Sequence, residues 1–211
     1  MHSICAGSHQ RPRSRFVVTQ HWQAPTHYGR RAGSRAAEQA RFHTKSGWLT
    51  ARRVGKRIEL DFPAVPVREA TLPVEIREAL GARPRYVGRD INDCNLLLEL
   101  ETEEDVRGLR PDFEALRKEA TGGVIVTARA SNGRCHFVSR FFASHVGVDE
   151  DPVTGSSHCS LAPYWAQRLG KSEMIGYQVS TRGGMVGVRI SGDRGLLSGE
   201  AVTVLRGSLL C

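Results

Sequence analysis

The spacing of apolar residues changes character at Arg41. Before it, apolar and polar residues follow neither a period of 2 nor one of 3.6, so residues 1–40 read as a disordered or poorly packed arm. After it the pattern is regular. Phe42-His43-Thr44 and Trp48-Leu49-Thr50-Ala51 flank Ser46-Gly47, and Gly55-Lys56 turns the chain into the alternating run Ile58-Glu59-Leu60-Asp61-Phe62. This predicts a meander of half-buried strands, ended by Pro63 and Pro66. Pro73 to Leu80 reads as a short helix, with proline in its first turn and Gly81 just past its end. Leu96-Leu97-Leu98 lies in a buried strand from Cys94 to Leu100. Thr102-Glu103-Glu104-Asp105 is a capping-type helix start, and a further helix runs from Pro111 to Ala120 before Gly122-Gly123.

The second half adds strands at Val124 to Thr127 and Cys135 to Phe142. Leu161, Trp165 and Leu169 then recur at helical spacing, which predicts one longer helix over 156–169, stopped at Gly170. Pro163 lies inside that pattern and should kink the helix or move its effective start. Strands at Tyr177 to Ser180, Met185 to Ile190 and Ala201 to Leu205 complete the chain, with turns at Gly183-Gly184 and Gly192-Asp193. Strands outnumber helices and tight turns join them. The expected class is α+β: a mixed, mostly antiparallel sheet wrapped around a central helix.

Charge narrows the function classes. The net charge is +8, but residues 1–41 hold seven arginines against one acid, Glu38, and so account for +6 of it. The nearly neutral remainder has no footprint for a phosphate backbone, so nucleic acid is not an expected partner. No apolar run approaches the ~20 residues that cross a bilayer, so no membrane role is expected. The cysteines Cys5, Cys94, Cys135, Cys159 and Cys211 are scattered, with no CxxC pair and no zinc spacing. They read as reduced thiols of a cytoplasmic protein, with no metal.

The chemistry concentrates in Gly147-Val148-Asp149-Glu150-Asp151-Pro152-Val153-Thr154-Gly155-Ser156-Ser157-His158. Three acids run into a proline and a small-residue turn at the start of the long helix. A helix start carries unpaired N–H groups and partial positive charge, so it holds carboxylates. Two readings stand at this point: the acids cap the helix, or Asp151 is a proton-handling group beside an anion site formed by Gly155, Ser156 and Ser157. No G-x-S-x-G elbow surrounds the serines, so capping or anion contact is expected of them rather than covalent chemistry. His158 reads as a satisfied histidine and Cys159 as an inert buried thiol. Thr181-Arg182-Gly183-Gly184 reads as a hairpin turn whose Arg182 can meet a carboxylate. No Walker loop, HExxH or EF-hand is present.

Phe137-Val138-Ser139-Arg140-Phe141-Phe142, Gly147 to Ser157, Leu161-Ala162-Pro163-Tyr164-Trp165, Gln178 to Gly184 and Leu197 to Gly207 together resemble the PhzF-like phenazine-biosynthesis family. Phe42-His43-Thr44-Lys45-Ser46-Gly47 is similar to that family's mid-chain strand pair. The resemblance spans roughly residues 41 to 209. It implies a diaminopimelate epimerase-type fold, in which two lobes each wrap a sheet around a helix and the active site lies between them. It also implies a homodimer and a cofactor-independent isomerase that moves a proton on a small unsaturated carboxylic acid, as the family's biosynthetic member does on a dihydro-hydroxyanthranilate. By motif, Asp151 matches the catalytic aspartate. Gly155, Ser156 and Ser157 match the substrate-binding helix start, with Arg182 and Gly183 on the second substrate-binding loop. Two-thiol racemisation is disfavoured, because Asp151 stands where related epimerases carry a cysteine.

The family's first-lobe glutamate in a Ser-Glu-Thr-like motif and its Gly-His-Ala-Thr motif have no counterpart here. The expected organisation is therefore an atypical basic arm over 1–40, disordered or mis-framed, a remnant of the first lobe and crossover over 41–110, and a second lobe over 111–211. Impaired turnover follows, or a silent scaffold used for dimerisation.

Overall fold

The computed structural model describes residues 39–44, 47–119, 122–131 and 133–201. The strands are β1 (Gln39–Thr44), β2 (Gly47–Val54), β3 (Arg57–Pro63), β4 (Val67–Glu69), β5 (Tyr86–Asp90), β6 (Asn95–Glu99), β7 (Gly123–Arg129), β8 (Phe137–Phe142), β9 (Glu173–Gln178), β10 (Gly184–Ser191) and β11 (Arg194–Glu200). The helices are α1 (Val74–Leu80), α2 (Glu103–Gly108), α3 (Phe113–Lys118) and α4 (Gly155–Leu169). The strands form one eleven-stranded sheet in the order β1-β2-β3-β11-β10-β9-β8-β7-β6-β5-β4. The β6–β7 and β8–β9 pairs are parallel and the others antiparallel, so the sheet is mixed and mostly antiparallel, as the pattern predicts.

This order forces the sheet to curl. β3 and β4 are separated by eight strand spacings, which laid flat would be nearly ~40 Å. Yet only Ala64, Val65 and Pro66 join them, and three residues reach about 11 Å. The sheet therefore rolls until β3 and β4 approach each other, and α4 fills the roll. Tyr164, Trp165, Leu161 and Cys159 of α4 pack with Leu97, Ile125, Phe137 and Phe141 from the sheet, and partly buried residues from both ends of the roll, Leu60, Phe62, Val67 and Tyr86, join the same cluster. Trp165 stacks on Phe137 with ring centroids 5.8 Å apart.

The outer face of the central strands is covered as well. α1, α2 and α3 bury Ile76, Leu80, Val106 and Leu116 against Leu96, Leu98, Val124, Val126, Val138 and Phe142. Burial on both faces explains the unbroken leucine run of β6 and the apolar run Val124-Ile125-Val126 of β7. α1 ends in a left-handed Gly81, and α2 begins with a full capping box between Thr102 and Asp105.

Pro163 does not move the start of α4, which runs through it from Gly155 to a left-handed Gly170. The proline lacks the N–H that would bond the carbonyl of Cys159, four residues back. Val65, in the connection that closes the roll, donates its N–H to that carbonyl at 3.0 Å. Three further differences from the sequence reading concern strands. β4 and β5 had no distinct pattern, and β9 runs over Glu173–Gln178 rather than Tyr177 to Ser180. The closing strand runs over Arg194–Glu200, and the one expected at 201–205 lies, past Ala201, outside the described residues, as does the arm before Gln39.

Replacing Val65 by proline removes the donor and leaves the Cys159 carbonyl buried without a partner. Val65→Pro should lose about 1–3 kcal/mol more unfolding free energy than Val65→Ala, which loses side-chain burial alone. Urea denaturation of the two variants measures this, and equal losses would show that the bond contributes nothing.

Candidate active site

The three acids before α4 do different things. Asp149 pairs with Arg117 of α3 at 2.7 Å on the surface, where such a pair contributes little. Glu150 is bound bidentately by Arg140 of β8, at 2.7 Å to Nε and 3.0 Å to Nη2. The remaining nitrogen of Arg140 donates to the carbonyls of Val106 and Leu109 at the end of α2. Asp151 has no cation among the described residues. Among the described residues its carboxylate partner is the Thr154 hydroxyl, which donates to Oδ2.

That bond has a consequence for the helix. Thr154 is the N-cap of α4, but its hydroxyl is turned to Asp151 and caps nothing. Among the described residues the N–H groups of the first turn are left without a side-chain acceptor. Gly155 and Ser156 are exposed there. Ser157 is buried, 1% exposed, and its hydroxyl donates back to the Thr154 carbonyl at 2.9 Å. What Ser157 offers to the helix start is its backbone N–H.

The second loop lies against the first. The Ser180 hydroxyl donates to the Pro152 carbonyl at 2.7 Å and accepts from Gly183 N–H at 3.0 Å. Gly183 has φ +68°, and a Cβ there would sit 2.6 Å from the Tyr177 hydroxyl oxygen. A Cβ on Gly184 would collide with Val153 of the acidic loop. Gly184 is thus required for the close approach of the two loops, and Gly183 for the left-handed turn packed against Tyr177 of β9. Arg182, at the tip of this turn, is exposed and has no ion pair among the described residues. The fold therefore brings together the Asp151 loop, the start of α4 and the Arg182-Gly183 turn.

Gln178 joins them and was not singled out from the sequence. It is fully buried on the inner face of β9, accepts from Thr154 N–H at 2.8 Å and donates to the Asp151 carbonyl at 2.6 Å. A signal existed: Met174, Gly176 and Gln178 share the inward face of β9, and a glutamine at the end of a buried stripe needs a polar partner.

His158 and Cys159 are core residues. His158 is 0% exposed, its Nδ1 lies 2.7 Å from the Thr154 carbonyl, and burial depresses its pKa to about 4. It is neutral, with the hydrogen on Nδ1. Burial pushes the Cys159 thiol up to about 12, which makes it a poor nucleophile. A groove of about 650 Å³ lies away from this site, on the outer layer between Leu80, Arg83, Leu100, Asp105 and Leu109. It contains none of the site residues.

A family model for phenazine biosynthesis-like proteins, PhzC-PhzF, matches residues 26–207. The chain is 47% identical over 176 residues to an uncharacterised isomerase of Halalkalibacterium halodurans, covering 83% of this chain and 66% of that protein. It is 48% identical over 172 residues to an uncharacterised isomerase of Pseudomonas aeruginosa, covering 82% and 64%. A PhzF-family crystal structure from Enterococcus faecalis superimposes with a TM-score of 0.72 at 34% identity, over 84% of this chain and 66% of that one. A putative PhzC/PhzF protein from Clostridium difficile gives 0.73 at 36%, over 83% and 66%. The chain thus spans slightly less than two thirds of the length of these relatives.

His158 makes stability depend on pH. Its folded pKa lies below its unfolded value of 6.5, so the unfolded state takes up the proton first as pH falls. Its contribution is complete above pH 6.5 and declines as pH falls toward 4. The loss should reach about 3 kcal/mol, the free energy of its downward shift. Denaturation profiles of wild type and His158→Gln between pH 7 and 4 test this, and parallel profiles would refute it.

Proposed function

This chain belongs to the PhzC-PhzF family of phenazine biosynthesis-like proteins, and from that premise we propose that its site moves a proton on a small unsaturated carboxylic acid. The observation that carries the reading is the state of Asp151. Among the described residues it alone of the three adjacent acids lacks a cation, and it stands beside a helix start whose capping hydroxyl it has taken. A substrate carboxylate is held by the N–H groups of Gly155, Ser156 and Ser157 and by the Ser156 hydroxyl, with Arg182 as counter-charge on the facing turn. Asp151 then takes or returns a proton on the carbon skeleton. Charge released by proton removal spreads by conjugation onto the carboxylate, where the helix start stabilises it. Gly183 gives the turn its left-handed bend, and Gly184 lets it come close to Val153 of the acidic loop. The chemistry asks for no cofactor or metal. The reading includes a homodimer and a cytoplasmic setting, as the family implies.

The sequence holds neither the family's Ser-Glu-Thr-like motif nor its Gly-His-Ala-Thr motif. With one positioned acid/base group where the family uses two, the rate of this chain falls by roughly a hundred- to ten-thousand-fold relative to a complete site. Exchange is slow but measurable.

Cyclohexa-2,5-diene-1-carboxylate, whose C1 hydrogen is doubly allylic and α to the carboxylate, is a suitable probe. In deuterium oxide the chain should catalyse slow deuterium uptake, seen by proton NMR, and Asp151→Asn should lower it about 100-fold or to background. Ser156→Asp, which places a carboxylate at the helix start, should abolish benzoate binding in calorimetry. Unchanged exchange in Asp151→Asn, or none in wild type, would overturn the proposal.

A further inference from the structure

Gln178 belongs to a buried polar row. Glu99 on β6 is in register with Thr127 on β7, Thr127 with Ser139 on β8, and Ser139 with Gln178 on β9. All four are at most 1% exposed, and the row runs beneath α4 from one end of the helix to the other. Tyr164 and Arg168 of α4 bond Glu99 at 2.5 and 3.0 Å, Trp165 Nε1 bonds Thr127 at 3.0 Å, and Thr154 N–H bonds Gln178.

At the Gln178 end the direction of every hydrogen bond is determined. Oε1 accepts from Thr154 N–H, so the amide nitrogen faces the Asp151 carbonyl and Thr154 Oγ1, the latter at 3.1 Å. A hydroxyl has one hydrogen. Because Thr154 Oγ1 accepts from Gln178, its hydrogen is committed to Asp151 Oδ2. The backbone of Asp151 is held too, its N–H donating to the Phe141 carbonyl at 3.0 Å and its carbonyl accepting from Gln178.

We infer that Gln178 and Thr154 are positioning residues that lock the Asp151 carboxylate by Oδ2 and so present Oδ1 to the substrate. This rests on the function proposed above and adds two residues to it. The chain runs from the donor Gln178 Nε2 through Thr154 Oγ1, which accepts from it and donates onward, to the acceptor Asp151 Oδ2, and it starts from a side chain whose other bonds hold the Asp151 carbonyl and Thr154 N–H. Misplacing the reacting oxygen by about an ångström costs on the order of 100-fold.

Thr154→Val keeps shape and removes the hydroxyl, while Thr154→Ser keeps the donor. Thr154→Val should melt cooperatively and bind benzoate within about 3-fold of wild type, since the helix N–H groups remain, yet lose about 100-fold in deuterium exchange on the cyclohexadiene carboxylate. Thr154→Ser should restore exchange to within about 3-fold of wild type. Gln178→Glu leaves the acceptor for Thr154 N–H but offers the hydroxyl a competing carboxylate, and exchange should fall likewise. Crystal structures of wild type and both Thr154 variants give a readout independent of turnover. The carboxylate should rotate in Thr154→Val and return in Thr154→Ser. Loss of exchange in Asp151→Asn with full exchange in Thr154→Val would overturn this inference and leave the parent reading standing. A carboxylate unmoved in crystals of Thr154→Val would overturn it even where wild type shows no exchange.

Discussion

Pro163 has no N–H to give to the carbonyl of Cys159, and Val65 supplies one in its place. The rolled architecture depends on this substitution of donors. The short connection from β3 to β4 brings the two ends of the roll together, and its central residue is hydrogen-bonded to the helix inside it. A proline in mid-helix ordinarily costs about 3 kcal/mol, partly for the lost bond. Here the vacated acceptor docks the seam of the sheet, so the cost is offset by tertiary structure. The bond lies one turn from Gly155. It therefore also fixes how far α4 projects along the roll, and with that the position of its first-turn N–H groups.

The polar row beneath α4 shows two ways to keep a carboxylate in such a structure. At one end Glu99 is almost wholly buried. Burial alone raises its pKa, but hydrogen bonds from Arg85 and Tyr164, with the charges of Arg85 and Arg168, hold it below the ordinary carboxylate value. Its folded form is therefore favoured above pH 4.5, and that support fades as pH drops below it. Removing both arginines would leave an uncompensated buried charge. At the other end Asp151 lies half-buried at the mouth of the roll, with a hydroxyl and, among the described residues, no cation. The first arrangement is saturated and structural. The second keeps an acceptor open, which suits the proton exchange proposed for Asp151.

Much of this was legible in the sequence where the signal is local. The long helix follows from Leu161, Trp165 and Leu169, the capping box from Thr102 and Asp105, and the first meander from its alternation. The acidic turn and the helix start were legible as a candidate site, because an acid, a proline and small residues sit within a few positions. What was not legible is long-range. β4 spans three residues, too few to show a period, and β5 carries Arg89 and Asp90 in its short run. Neither Arg140 nor Arg117 announces that it will pair with Glu150 or Asp149, 10 and 32 residues away. Gln178 looked like an ordinary strand residue until its partner loop was placed opposite it. Pro163 was readable as a disturbance of the helix, but its partner lies nearly a hundred residues earlier.

Which of the three acids is left open is a matter of parity. After β8 the chain turns and runs back, with Ala143 and Val148 exchanging backbone bonds and Asp151 N–H reaching the Phe141 carbonyl. Along β8, Phe141 faces α4 while Arg140 and Phe142 face the outer helices. An extended segment lying beside such a strand alternates in the same way. Glu150 falls on the outer side, beside Arg140 and the end of α2, and is neutralised there. Asp151, one residue on, falls on the inner side, with Thr154 and Gln178. A shift of one residue in this loop would exchange the two, burying the free acid against Arg140 and presenting a longer, differently placed carboxylate to the helix start. The Ala143–Val148 bridge holds that register, so the reactivity assigned to Asp151 is set by backbone pairing before any side chain near the site is considered.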